Sequence, residues 1–188
     1  AARLSAGVAL ASLSAEQFQD EVAGCVAAAR DALSLQAGAA GATLSSYAAT
    51  LVGAVAEGER GFLFHIGDGV AVAEARDASQ PPVVSLPENG EYANETYFAT
   101  GEHWREHLRV TPLAQPLRLL ALMSDGAASF VMARGNAGLF RPFVDPVARF
   151  LASAPDATGA QALQGTLDDP RTQRITGDDK ALLLALWS

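Results

Sequence analysis

The stretch Leu117 to Met123 is apolar except for Arg118 and stops at Ser124-Asp125-Gly126. A run this short and this apolar predicts a strand buried on both faces, inside a sheet and not at its rim. What surrounds it narrows the fold further. Ser14 and Gln17 have capping-box spacing, and Phe18, Val22, Cys25, Val26, Ala29 and Leu33 recur at helical intervals. Ala1 to Ser12 reads as an earlier helix or the first part of a bent one, and the Gly-Ala-rich stretch Ala37 to Ala42 ends the pattern. Strands follow in succession: Tyr47 to Ala56, Phe62 to Ile66, Val70 to Ala73, Val83 to Leu86, Thr96 to Phe98 and His107 to Thr111. Gly67-Asp68-Gly69 reads as a tight hairpin turn and Pro87 to Gly90 as another turn. Phe143 to Ala152 and Ala157 to Leu167 are helical, and Lys180 to Trp187 is a closing strand. Helix, consecutive strands, two helices and a last strand do not make the alternation of a parallel doubly wound sheet. Antiparallel sheets with helices packed outside fit this order, an α+β chain.

A chain of 188 residues with 49% hydrophobic and 18% charged residues can bury one sizeable core. Its net charge of −8 argues against nucleic-acid partners, which need a basic surface, and against an anionic membrane face. Phosphorylated ligands stay compatible if metal ions supply positive charge locally. The single cysteine, Cys25, rules out an internal disulfide, fits a reducing compartment and sits on an apolar helical face as a buried, inert thiol. No apolar run is long enough to span a bilayer, and Ala1 to Leu13 is interrupted by Arg3 and Ser5 with no cleavage pattern after it.

Three aspartates stand beside glycine next to an apolar strand: Asp68, Asp125 and Asp178. Carboxylates at the ends of rigid strands suit hard cations such as Mg²⁺ and Mn²⁺. Each also has a plain use. Asp68 fits a hairpin turn, Asp125 the cap of a helix starting near Ala127, and Asp178-Asp179 a solvated turn.

Order decides between these readings. Ala49-Thr50-Leu51, Phe64-His65-Ile66-Gly67-Asp68, Leu120 to Gly126, and Asp178-Asp179-Lys180 leading into Leu182 to Ala185 together resemble the type 2C metal-dependent serine/threonine protein phosphatases. Glu88 to Phe98 resembles a stretch typical of their compact bacterial branch. The resemblance implies a four-layer α-β-β-α sandwich of two mainly antiparallel sheets with helices outside. It implies two Mn²⁺ or Mg²⁺ ions that activate water against phosphoserine or phosphothreonine, with Asp125 and Asp178 as ligands and Asp68 helping to hold a more labile third ion. It further implies a phosphorylated protein substrate, a cognate Ser/Thr kinase and a cytoplasmic setting.

The likeness has limits. The family's Asp-Gly motif that bridges the two metals, and a phosphate-binding arginine in many members, would lie upstream of the first helix seen here. Asp20 and Asp31 cannot replace that aspartate, because both fall within a helical pattern. Residues 1–188 are therefore expected to be one phosphatase-like domain, N-terminally incomplete and impaired in turnover as it stands. A non-catalytic pseudophosphatase serving as a regulatory or binding module is the rival reading. Asp179 stands where many relatives have asparagine. His65 reads as structural, His103 and His107 as part of a solvated connection, Thr50 as strand packing, and Arg141, Arg171 and Arg174 as undifferentiated candidates for phosphate contact.

Overall fold

The computed structural model describes residues 10–88 and 96–187. Its elements run α1 (Ala15–Ala39), β1 (Leu51–Glu57), β2 (Arg60–Ile66), β3 (Val70–Ala75), β4 (Val83–Ser85), β5 (Arg109–Leu113), β6 (Leu117–Met123), α2 (Asp125–Val131), α3 (Arg141–Leu151), α4 (Asp156–Leu167), α5 (Pro170–Gln173) and β7 (Leu182–Leu186). They form an α+β chain with two antiparallel sheets, ordered β1-β2-β5 and β4-β3-β6-β7. The chain clusters into two compact units, Ala1–Gly69 with Pro87–Gln115, and Val70–Leu86 with Pro116–Ser188.

In the first unit, α1 begins where its capping box places it: Ser14 Oγ accepts from Gln17 N at 3.1 Å and Gln17 Oε1 accepts from Ser14 N at 2.9 Å. The helix then buries Phe18, Val22, Ala23 and Val26, spaced to share one face. Phe18 stacks on Phe62 of β2 with ring centroids 4.4 Å apart. Ile66, Trp104 and Leu108 complete that core. Cys25 is half-buried, not buried as the apolar face suggested. The helix ends at Ala39, inside the Gly-Ala-rich stretch expected to break it, and Gly41 follows with φ +66°.

In the second unit, β6 is the internal strand expected, paired with β3 on one side and β7 on the other. Val70, Val72, Leu119, Ala121 and Met123 pack with Ala127, Phe130 and Val131 of α2, Val144 of α3 and Leu167 of α4.

The hairpin expected at Gly67-Asp68-Gly69 does not exist. β2 pairs with β1 and β5, whereas β3 pairs with β4 and β6, so these residues carry the chain from one sheet to the other. The turn chemistry is real: Gly67 has φ +106° and a Cβ there would lie 2.4 Å from Thr50 Cγ2. It closes no strand pair. Tyr47 ends a 3₁₀ turn instead of opening β1, and Thr96 to Phe98 forms only an isolated bridge at Thr96. Asn89 to Glu95, with half of the expected turn at Pro87 to Gly90, and Ala1 to Ala9 of the expected helix over Ala1 to Ser12 lie outside the described residues; Leu10–Ser12 forms a 3₁₀ turn.

Candidate metal centre

The β6–β7 register sets Met123 opposite Leu182, and the β3–β6 register sets Val70 opposite Met123. Ser124-Asp125-Gly126 therefore leaves β6 at the sheet end where the 177–181 segment enters β7. Ser124 fastens the two. Its Oγ donates to Asp179 O at 3.2 Å and accepts from Ala181 N at 3.0 Å, while its backbone N donates to Ala181 O at 3.0 Å. Gly126 lets them approach. A Cβ on residue 126 would stand 2.3 Å from Asp179 O and 3.1 Å from Asp178 Cβ. The two aspartates paired by sequence order, Asp125 and Asp178, are thus brought to one end of one sheet, both exposed.

Asp125 is the first residue of α2, not its cap; Ser124 holds the cap position without a side-chain bond to the helix. Asp125 Oδ1 accepts from Gly126 N at 2.7 Å, a local bond that orients the carboxylate. Asp178 Oδ2 accepts from Thr176 Oγ1 at 2.7 Å, and Thr176 Oγ1 accepts from Asp178 N at 3.1 Å. Lys180 Nζ donates to Thr176 O at 3.1 Å and Asp178 O at 2.8 Å, so the ammonium holds the loop's carbonyls and not its carboxylates. Sequence reasoning passed over Ser124, Thr176 and Lys180. Their only signal was the Thr-x-Asp spacing of a side-chain-closed turn and a serine just before Asp-Gly.

Asp68 belongs to the other unit and is half-buried. Thr96 Oγ1 donates to its Oδ2 at 2.9 Å. Nearby, His65 is 1% exposed and its Nδ1 lies 3.0 Å from Arg109 Nη2. Burial, with the Arg109 charge second, lowers the His65 pKa to about 4 against a smaller opposing pull from Asp68, so the ring is neutral at pH 7. That agrees with a structural role. His107 stacks on Tyr97 at 3.4 Å and its Nδ1 lies 3.3 Å from Glu88 Oε1, a packed connection more than a solvated one.

The arginines separate as well. Arg171 forks onto Asp169, with Nε to Oδ1 at 3.0 Å and Nη2 to Oδ2 at 2.9 Å, and holds that half-buried carboxyl down at about 2. Arg141 is engaged by buried Glu74.

The exposed oxygens of Asp125 and Asp178, set against a glycine with no room for a Cβ, are a donor set suited to a hard divalent cation. Among the described residues no group of three or more Asp, Glu, His or Cys side chains gathers to hold a metal. No helix among the described residues is long and apolar enough to cross a membrane.

These sheets and helices make an α+β chain with two aspartates at one sheet end. The Protein phosphatase 2C family pattern matches residues 2–168, and the chain belongs to that family. It is 28% identical over 162 residues to Serine/threonine-protein phosphatase 3 of Escherichia coli (strain K12), covering 85% of this chain and 63% of that relative. The chain thus spans less than two thirds of the curated relative's length. Among solved structures it is similar to Serine/threonine phosphatase Stp1 from Staphylococcus aureus, with TM-score 0.54 and 14% identity over 100% of this chain and 73% of that one. A bacterial serine phosphatase carrying an arginine-to-glutamate mutation matches likewise, with TM-score 0.54, 16% identity and the same coverage. At such identities the likeness shows the fold, which is the fold the sequence resemblance implied.

Proposed function

We propose that this chain belongs to a phosphoprotein phosphatase that hydrolyses phosphoserine and phosphothreonine using Mn²⁺ or Mg²⁺. The observation that carries the reading is the meeting of Ser124-Asp125-Gly126 with Asp178-Asp179 at one sheet end, inside a chain of the 2C family. Asp125 and Asp178 are the residues that would hold the ions, with Asp68 assisting an additional one. When bound, such ions supply a water of lowered pKa and offset the charge of the phosphoryl group.

The chain's own part is positional. Ser124 and Gly126 fix the spacing between the two acidic segments. Thr176 and Lys180 keep the Asp178 loop in one conformation and leave its carboxylate facing solvent. Two carboxylates set at one sheet end need a cation before a phosphate dianion can approach them. The physiological partner is a phosphorylated protein, acting opposite a Ser/Thr kinase, and the setting is cytoplasmic.

The test is Mn²⁺-dependent release of phosphate from a phosphopeptide by the full-length protein. Asp125→Asn should lower that release at least 100-fold while the circular dichroism spectrum stays unchanged. Retained turnover in Asp125→Asn would remove the ligand assignment. A full-length protein that binds a phosphopeptide without releasing phosphate would establish the pseudophosphatase reading instead.

A further inference from the structure

Glu74 lies in β3 with its side chain only 5% exposed, and both of its oxygens are taken by arginine. Arg118 Nη2 donates to Oε2 at 2.5 Å, Arg141 Nη1 donates to the same oxygen at 3.2 Å, and Arg141 Nη2 donates to Oε1. The two arginine side chains are nevertheless 41% and 45% exposed, and each guanidinium has more N–H donors than these bonds use. Arg149 stands two turns further along α3 and has no carboxylate within 4 Å among the described residues, its Nε donating only to Asp145 O at 3.4 Å. Asp145 lies 3.6 Å from Arg141.

Together Arg118, Arg141 and Arg149, with Asp145, Leu119 and Ala148, line a concavity of about 630 Å³. A buried ion-pair clasp joining β3, β6 and α3 accounts for Glu74. It leaves Arg149 and the remaining donors unexplained. Three guanidiniums against two carboxylates make a locally cationic hollow on a chain of net charge −8. Arg118 is the second residue of β6 and Asp125 follows the strand's far end, so at roughly 3.3 Å per residue the hollow is ~20 Å from the candidate metal centre.

We propose that this hollow is a second anion site, which binds a phosphomonoester group away from the metal centre. A phosphoryl group carries about −1.5 to −2 charges and three acceptor oxygens, and guanidiniums already oriented by a buried carboxylate offer it paired donors at little ordering cost. The ligand has two sources: free phosphate, or a phosphorylated side chain on a protein bound at the reaction site. Only the second source rests on the phosphatase reading.

Calorimetric titration of the chain in EDTA tests this, because chelation silences the metal centre. The probes are inorganic phosphate, a phosphoserine peptide of otherwise neutral sequence, and its unphosphorylated twin. The phosphopeptide should bind at least tenfold tighter than its twin. Arg149→Gln should weaken it about threefold or more, and Arg118→Gln more strongly. Arg149 is exposed and outside the clasp, so its variant folds and keeps its turnover of p-nitrophenyl phosphate.

Full competition by inorganic phosphate assigns the site to free phosphate; binding of the peptide alone assigns it to the attached group. Equal binding of both peptides, or affinity unchanged in Arg149→Gln, overturns the proposal. Binding retained by an Asp125→Asn variant that has lost turnover separates this site from the metal centre. Turnover present with no binding in EDTA sinks this inference alone.

Discussion

Gly126 is the residue on which the candidate centre turns. A methyl group there meets a backbone carbonyl oxygen at 2.3 Å, and backbone does not yield as a flexible side chain would. Gly126→Ala should destabilise the protein by about 1–3 kcal/mol and displace the Asp178 loop. A lowered thermal midpoint together with weakened Mn²⁺ affinity is the expected result; an unchanged affinity would uncouple Gly126 from the site. His65 makes a second prediction. Its folded pKa of about 4 lies below the ordinary 6.5, so between those values the unfolded chain takes up a proton that the folded chain refuses. Stability is therefore full above pH 6.5 and is lost as pH falls towards 4, by at most about 3 kcal/mol. Urea unfolding at pH 7.5 and pH 5 measures the drop. An equal drop in His65→Gln would take the histidine out of the account.

Among the elements, α1 was legible nearly whole because its signals are local: a capping box at Ser14 and Gln17 and one apolar face. Ser14→Ala should cost about 1 kcal/mol, read as a lowered urea midpoint with unchanged slope. β6 was legible for a similar reason, since an apolar run bounded by Asp-Gly has few other uses. The connection at Gly67 to Gly69 was not. A positive-φ glycine flanked by apolar runs looks the same whether the strands on either side pair with each other or enter different sheets. The partners that decide it, β5 at Arg109–Leu113 and β6 at Leu117–Met123, lie far along the chain. Helix α2 was legible only as one use of Asp125, because seven residues carry too little periodicity to declare themselves.

For the molecule as a whole, cation binding and stability are linked. A metal held only by the folded state adds about 2.7 kcal/mol at a hundredfold excess over its Kd. Mn²⁺ should accordingly raise the thermal midpoint by several degrees, and EDTA should reverse the rise. In Asp125→Asn the shift should vanish; a shift of equal size there would place the cation elsewhere.

The sequence by itself determined the class of fold, the family and the aspartates worth testing, because composition, strand-end Asp-Gly pairs and their order are local or one-dimensional properties. Only the tertiary structure decided which strands share a sheet and that Ser124 and Gly126 clamp the Asp178 loop. It also showed that Arg118, Arg141 and Glu74 form one cluster. Each of those depends on residues dozens of positions apart meeting at a fixed register, and no local pattern encodes that meeting.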